Sequence, residues 1–388
     1  MSILHITIQA PGYRSGGEIC VRQTLLSLVG CGYAVDYLGP EIKEPEIRDR
    51  YRQVYELPAG HNTLLRVWDT IHGITNQRYR SWLELSRKFD FSRYDAIVMD
   101  FTKLDYVLEK APCEKVIVRA HNVEADYSAR NYEFHRSFAN YLDKVFAARR
   151  EAEILRKVKR LVVLTPEDAS RFGELYDLSG HQVVIDPICI EGPRDIENAS
   201  ETDTYSHAFD EQNPFDILLT GSLWFGPNYE GVKWFLKEVY PSLQFPKKVV
   251  IAGSRPNEEL KELAAELPDV EIIDTLESMD PYFRAADLYV APVFDGAGMK
   301  VKVAEAMSYG LPVAGTIHAF IGYEIEGIPG LYRCADAAEM IHAINVCAGM
   351  DQEVYRNTKT GIICLFDEKY SMKRSIEVFR KMVESVTQ

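Results

Sequence analysis

Residues 291–316 read APVFDGAGMKVKVAEAMSYGLPVAGT, and the rest of the chain takes its meaning from them. The run just before, Asp287–Val293, is short and apolar and has the character of a strand. A loop with Gly296 and Gly298 follows. Then comes a helix-like segment, KVKVAEAMSYG, which closes at Gly310, and Leu311-Pro312-Val313 opens the next strand. A Gly-rich loop that opens a helix after a parallel strand turns backbone N–H groups outward, at the positive end of the helix dipole, and suits an anion. Glu305, the carboxylate inside the helix, lies about two turns from its start and can accept two hydroxyl hydrogen bonds, as a ribose offers. The same pattern also serves a plain βαβ turn whose glycines only permit close packing, so spacing alone leaves both readings open.

The chain has 388 residues, enough for two ordinary domains. With 46% hydrophobic and 26% charged residues, the composition is that of a folded globular protein. No apolar run approaches the roughly 18–20 residues that span a bilayer. The opening MSILHITIQAPGY has neither a basic segment nor a cleavage site and reads as a first strand. Cys20, Cys31, Cys113, Cys189, Cys334, Cys347 and Cys364 form no metal-ligand spacing and fit a reduced, cytoplasmic compartment. A formal net charge of −14 argues against broad nucleic-acid binding.

The run G-A-G-M-K-V-K-V-A-E-A-M-S-Y-G-L-P-V resembles the signature of family 4 glycosyltransferases of the GT-B fold. The resemblance implies a nucleotide-sugar facing Gly296, Ala297, Gly298 and Met299, with Glu305 on the nucleotide ribose. Many members carry a first glutamate, usually on the donor sugar, where this chain has Ala297. A subgroup has a small residue there and basic residues nearby, matched here by Lys300 and Lys302.

Ile3–Gln9 is a β-rich opening that leads into a loop with Gly16 and Gly17 and then a periodic helix through Leu28. This is neither a dinucleotide fingerprint, since G-x-G-x-x-G is absent, nor a P-loop, since no G-K-[ST] follows. Paired glycines here resemble the GT-B loop opposite the donor phosphates. A second strand is expected at Tyr33–Leu38. Residues 41–92, with Trp68 and Trp82, read as helices. Ala96–Asp100 and Val116–Arg119 are buried-type parallel strands, and the second ends in Ala120-His121-Asn122-Val123-Glu124. A histidine past the carboxyl end of such a strand sits where open α/β sheets bind ligands. The resemblance to H-N-x-E segments of related enzymes makes His121 the catalytic candidate, reaching the donor sugar, with Glu124 or Asp126 able to orient an acceptor hydroxyl. Asp143–Leu161 reads as an amphipathic helix with a basic end, either solvated or in contact with anionic lipid or a phosphorylated acceptor. Strands follow at Leu161–Thr165 and Val183–Asp186.

Residues 191–214 are acidic and aperiodic, the best linker in the chain. The strand from Phe215 ends at Gly221-Ser222, and Pro227-Asn228 introduces a helix. This unit resembles the GT-B diphosphate site, although the arginine and lysine common in its loop are missing. Arg255, after KVVIAG, is the leading substitute cation and Lys302 the second. Val270–Asp274 is a strand, and by resemblance the loop at Thr275 lies along the base. Met279–Ala286 reads as a short helix, Pro312–Gly315 as a strand, and Lys369–Val386 as an amphipathic helix.

Strands alternating with helices in two halves imply an α/β fold of two doubly wound Rossmann-like domains facing a central cleft. The expected organisation is residues 1–190 on the acceptor side, a linker at 191–214, a nucleotide-sugar domain at 215–368, and a C-terminal helix, 369–388, packing back on the first domain. Donor contacts are then expected from Gly16, Gly17, Gly221, Ser222, Asn228, Arg255, Thr275, Gly296, Ala297, Gly298, Met299, Lys300, Lys302 and Glu305. No D-x-D pair stands in a convincing place, so no essential metal and no cofactor are expected, the substrate being a UDP- or GDP-sugar. The implied activity is a retaining transfer to a glycan or lipid-linked acceptor in surface polysaccharide assembly, in the cytoplasm or at the inner membrane face. The alternatives are a GT-B interaction protein without catalysis and another GT-B enzyme such as an epimerase.

Overall fold

A computed structural model describes the chain except for Arg14, residues 60–77, His135, residues 194–211, Phe225, Thr275, Glu277, residues 296–297 and Gln388. Trp68, most of the acidic 191–214 stretch, Thr275, Gly296 and Ala297 therefore lie outside the described residues. The chain divides into two units: Met1–Cys189 with Met372–Gln388, and Ile190–Ser371.

The first unit is built on a parallel sheet of β1 (Ser2–Ile6), β2 (Ala34–Gly39), β3 (Gln53–Glu56), β4 (Ala96–Asp100), β5 (Val116–Arg119), β6 (Arg160–Val163) and β7 (Gln182–Ile185). Their order is β3-β2-β1-β4-β5-β6-β7, so the direction of winding reverses between β1 and β4. Both faces are covered. Leu4, Ile97, Met99 and Val118 enter one core cluster, and Ile3, Ala96, Val98 and Ile117 enter the other. This is why these strands read as continuous apolar runs rather than as alternating ones. The helices are α1 (Gly16–Gly30), α2 (Pro45–Arg48), α3 (Tyr79–Ser86), α4 (Glu124–Phe134), α5 (Phe138–Lys157) and α6 (Pro166–Leu175).

The second unit has β8 (Phe215–Thr220), β9 (Lys247–Ala252), β10 (Val270–Ile273), β11 (Leu288–Ala291), β12 (Val313–Thr316) and β13 (Leu331–Cys334), in the order β10-β9-β8-β11-β12-β13, all parallel. Its winding reverses between β8 and β11. Its helices are α7 (Gly226–Trp234), α8 (Glu258–Ala265), α9 (Asp280–Ala285), α10 (Val301–Ser308), α11 (Ala337–Ala348) and α12 (Gln352–Lys369). The last helix, α13 (Met372–Thr387), belongs to the first unit, where Val378, Phe379, Met382 and Val383 are buried with Val35, Ile117 and Val162.

Three expectations need correction. The 41–92 segment is not purely helical: β3 adds an edge strand to the first sheet. The basic helix runs Phe138–Lys157, not Asp143–Leu161, because Arg160 and Leu161 enter β6 and pair with β7. Its cationic end is also not a bare charged face. Arg150 is buried against Asp143, Arg156 and Lys157 both pair with Glu153, and Arg160 donates to the carbonyls of Glu114 and Ser385.

Candidate active site

In a doubly wound sheet, ligands are held outside the carboxyl ends of the strands, where the strand order reverses. In the second unit that point lies between the loops after β8 and β11, and it gathers several of the expected residues. The Asn228 side-chain amide, in the first turn of α7, donates to the Ser222 carbonyl at 3.2 Å. Its oxygen accepts from Lys302 Nζ at 3.0 Å, and the same ammonium donates to the Thr220 carbonyl at 3.3 Å. One lysine of α10 thus ties the end of β8 to the start of α7. Lys302 is largely buried. Burial first, and then the neighbouring Lys300, depress its pKa to about 8, against the opposing pull of Glu305. Lys300 turns its own ammonium back onto the Gly298 carbonyl at 2.8 Å.

Glu305 is half-buried, the fifth residue of α10 and so in its second turn. Its charge also acts on Tyr289 and Tyr309. Tyr289 and Thr220 share a hydroxyl hydrogen bond of 2.8 Å beneath the loop. Met299 is buried.

Two glycines bring backbones together here. A Cβ on Gly253 would stand 1.8 Å from the Gly221 carbonyl oxygen, and one on Gly231 would stand 1.8 Å from that of Pro292. The loop after β9 is therefore pressed against the loop after β8, and α7 against the loop after β11. Arg255 sits in that β9 loop with a left-handed φ of 56°, its N–H donating to Asp274 at 2.8 Å. Its exposed guanidinium lies 4.5 Å over the indole of Trp224, a residue in the β8 loop that the sequence reading does not single out.

In the first unit Gly16 and Gly17 open α1. Ser15 caps the helix by accepting from the Glu18 N–H and from the Gln9 side chain. A Cβ on Gly17 would overlap that Gln9 amide, whereas one on Gly16 meets open space. His121 follows β5 and is 5% exposed. Its Nε2 bonds Asp100 Oδ1 at 2.8 Å, and the second Asp100 oxygen takes His5 Nε2 at 2.6 Å. Burial lowers the His121 pKa even against the attraction of Asp100. Burial would raise Asp100, yet His121 and His5 bring it well below the usual carboxylate range. Glu124 is buried and pairs with Lys103 at 2.8 Å, and Asp126 pairs with Arg171. Neither is a free carboxylate beside the histidine.

The residues that sequence reasoning misses are the ones behind His121. Thr24 donates to Asp100, and Arg119, fully buried, donates to Thr24 and pairs with Asp186 at 2.9 Å. A charge closing each of two apolar strands, AIVMD and VIVR, was the available signal, because buried charges need partners.

Residues 214–348 match the family model described as glycosyl transferases group 1. An uncharacterized 44.6 kDa protein in the cps region of Klebsiella pneumoniae is 23% identical over 245 residues, or 58% of this chain. The match spans 56% of that relative's length. Among solved structures, the chain is similar to Anabaena Alr3699/HepE in complex with UDP-glucose (TM-score 0.67, 12% identity, 99% of each chain). It is also similar to a glycosyltransferase from Rickettsia africae ESF-5 (0.65, 12%, 100% of this chain and 98% of that one). A third is WaaG, a glycosyltransferase involved in lipopolysaccharide biosynthesis (0.63, 16%, 99% of each). Residues 214–348 thus match the group 1 glycosyltransferase family, in a chain that has the GT-B fold.

Proposed function

We propose that this protein transfers a sugar from a UDP- or GDP-sugar, with retention and without an essential metal, to a glycan or lipid-linked acceptor of surface polysaccharide. The observation that carries the reading is the junction of Gly221, Ser222, Asn228 and Lys302 at the reversal point of the second sheet, with Glu305 on the same helix as Lys302. It lies inside the segment that matches the group 1 family.

In this reading the diphosphate rests on the N–H groups that open α7, next to Lys302 and Arg255, and the ribose hydroxyls bond Glu305. Charge grows on the diphosphate as the glycosidic bond breaks. Dipoles and cations already aimed at it need no reorganisation, which is the main source of rate in such a site. The departing diphosphate itself takes the acceptor's proton, so no separate strong base is required. A polysaccharide acceptor is supported by the relative from a cps region and by the lipopolysaccharide role in WaaG's description. Contact with an anionic membrane face is supported by α5, which exposes Phe138, Tyr141 and Val145 near Lys144 and Arg149. Among the described residues no helix is long and apolar enough to cross a membrane.

The test is a purified-protein assay with UDP- and GDP-sugars, reading donor turnover and heat stabilisation by the nucleotides. Stabilisation by one nucleotide class, absent in Glu305→Ala, is the expected result. No shift with any uridine or guanosine nucleotide would remove the donor site. His121→Ala is expected to lose turnover by about a hundredfold or more while nucleotide affinity holds. Equal loss of both would count against a role for His121 in the transfer step.

A further inference from the structure

The hydrogen bonds around Asp100 leave little freedom of direction. An ionised carboxylate only accepts. Thr24 donates to its Oδ1 at 3.1 Å. His5 and His121 each present Nε2 to it, at 2.6 and 2.8 Å, so each Nε2 carries a proton, which in a neutral ring is the only one. The Tyr51 hydroxyl, 2.9 Å from His5 Nδ1, is then the donor of that bond. The chain runs in one sense, from Tyr51 to His5 to Asp100, and from His121 to Asp100. It leaves His121 Nδ1 as a bare lone pair. That atom is buried and has no hydrogen-bond partner among the described residues.

The segment that delivers Asp100 also clamps the ring. Phe101 is held at a φ of +74°, which bulky residues rarely adopt, and its ring centroid lies 4.0 Å from that of His121. A buried acceptor that the fold orients but does not satisfy is a place for an incoming donor.

We infer that Asp100 is a positioning residue: with His5, Tyr51 and Thr24 it holds His121 in the Nε2–H form, so that Nδ1 accepts a hydrogen bond from a neutral sugar hydroxyl. The inference rests on the proposed glycosyl transfer only for the identity of that hydroxyl. The charged groups facing His121 are Asp100 at the end of β4, Arg119 on β5 and Glu124 at the start of α4, with His5 of β1 behind Asp100. Arg119 is engaged by Asp186 and Glu124 by Lys103, while Asp100 bonds the ring directly, so an anion is disfavoured there and an uncharged hydroxyl is suited. Nδ1 is closed to solvent in this state, so a hydroxyl that reaches it displaces part of its cover.

The experiment is two-bond proton–nitrogen correlation NMR on histidine-labelled full-length protein, with His121 assigned by its disappearance in His121→Gln. The expected spectrum at neutral pH is a neutral His121 ring protonated on Nε2. A ring protonated on Nδ1, or an imidazolium, would overturn the inference without touching the proposed reaction. Asp100→Asn should mix the tautomers and lower kcat about tenfold to a hundredfold, with the donor KM changed less than about threefold. It should also shift the pH profile of kcat. His5→Gln keeps an N–H toward Asp100 and should preserve the tautomer and most of kcat. An Nε2–H ring in the wild type, with kcat unchanged in a folded Asp100→Asn, would sink the positioning role while leaving glycosyl transfer intact. If Asp100→Asn does not fold, the wild-type spectrum and His5→Gln still decide: an Nε2–H ring with kcat largely kept in His5→Gln would support the relay, and loss of kcat without any change of tautomer would refute it.

Discussion

Lys302 illustrates how one side chain can tie elements together and, in the proposed reading, also meet a diphosphate. Its ammonium is held by the Thr220 carbonyl and the Asn228 amide oxygen rather than directly by a carboxylate, which is a poor substitute for water. The pKa falls from 10.5 to about 8 for that reason, with Lys300 adding repulsion and Glu305 opposing it. The sign follows directly. The folded state binds this proton less well than the unfolded chain does, so the group costs stability below about pH 8 and the cost is relieved as pH rises toward 10.5. A bound diphosphate reverses the preference by favouring the charged form. Nucleoside-diphosphate affinity is therefore expected to weaken as pH rises through about 8, by at most tenfold per unit, and Lys302→Met should flatten that slope. Calorimetric titrations at pH 7, 8 and 9 would check it. A slope unchanged in the variant would place the titrating group elsewhere. Arg255 offers a contrast, since its guanidinium is exposed on Trp224 and owes its position to stacking rather than enclosure.

At the level of elements, the central strands are legible because parallel strands buried on both faces are apolar nearly throughout, as ILHI, AIVMD and VIVR are apart from His5, Asp100 and Arg119. The edge strands β3 and β13 are not, whereas β7 and β10, at the other edges, are apolar enough to read as strands. QVYE of β3 has only exposed and half-buried residues and LYRC of β13 mixes exposed with buried ones, each beside a single neighbour, so nothing in their composition separates them from loop. The junction of β8, α7 and α10 is legible only in its glycines and its helix start. The link through Lys302 joins residues 82 and 74 positions apart, and periodicity is blind to such a distance. The structure also separates glycines that sequence alone treats alike. Gly231 in α7 has the Pro292 carbonyl where a Cβ would go, whereas Gly361, within the 18-residue α12, has nothing within 4 Å. Gly231→Ala should therefore destabilise by about 3 kcal/mol, since backbone must move, and Gly361→Ala should stabilise by about 1 kcal/mol. Urea midpoints at constant slope would measure both. A neutral Gly231→Ala would mean that α7 can retreat from the β11 loop at no cost.

At the level of the whole chain, the first unit is closed by sequence from the far end. The amphipathic pattern of the tail is readable in MKRSIEVFRKMVESVT, but its burial against strands more than two hundred residues away is a property of the fold. Val378, Phe379, Met382 and Val383 are each at most 3% exposed, packed with Val35, Val98 and Val162. Phe379 lies 5.6 Å under the Arg119 guanidinium, and the Ser375 hydroxyl meets Ser27, Gln23 and Asp186. At about 1.5–3 kcal/mol for each buried side chain, removing these four forfeits on the order of 6–12 kcal/mol, as much as a domain's whole stability. It also leaves Asp186 without its serine. A chain ending at Ser371 is therefore expected to lose the cooperative unfolding of its first unit, while Ile190–Ser371, whose core contains none of the deleted residues, keeps its own transition. Scanning calorimetry should show one transition in place of two wherever the units melt apart. Limited proteolysis should then yield a resistant fragment close to 190–371 and none from the amino-terminal side. If the shortened chain kept a protease-resistant amino-terminal fragment, the closing role of α13 would be wrong, and the first sheet would have to be stable with one face stripped.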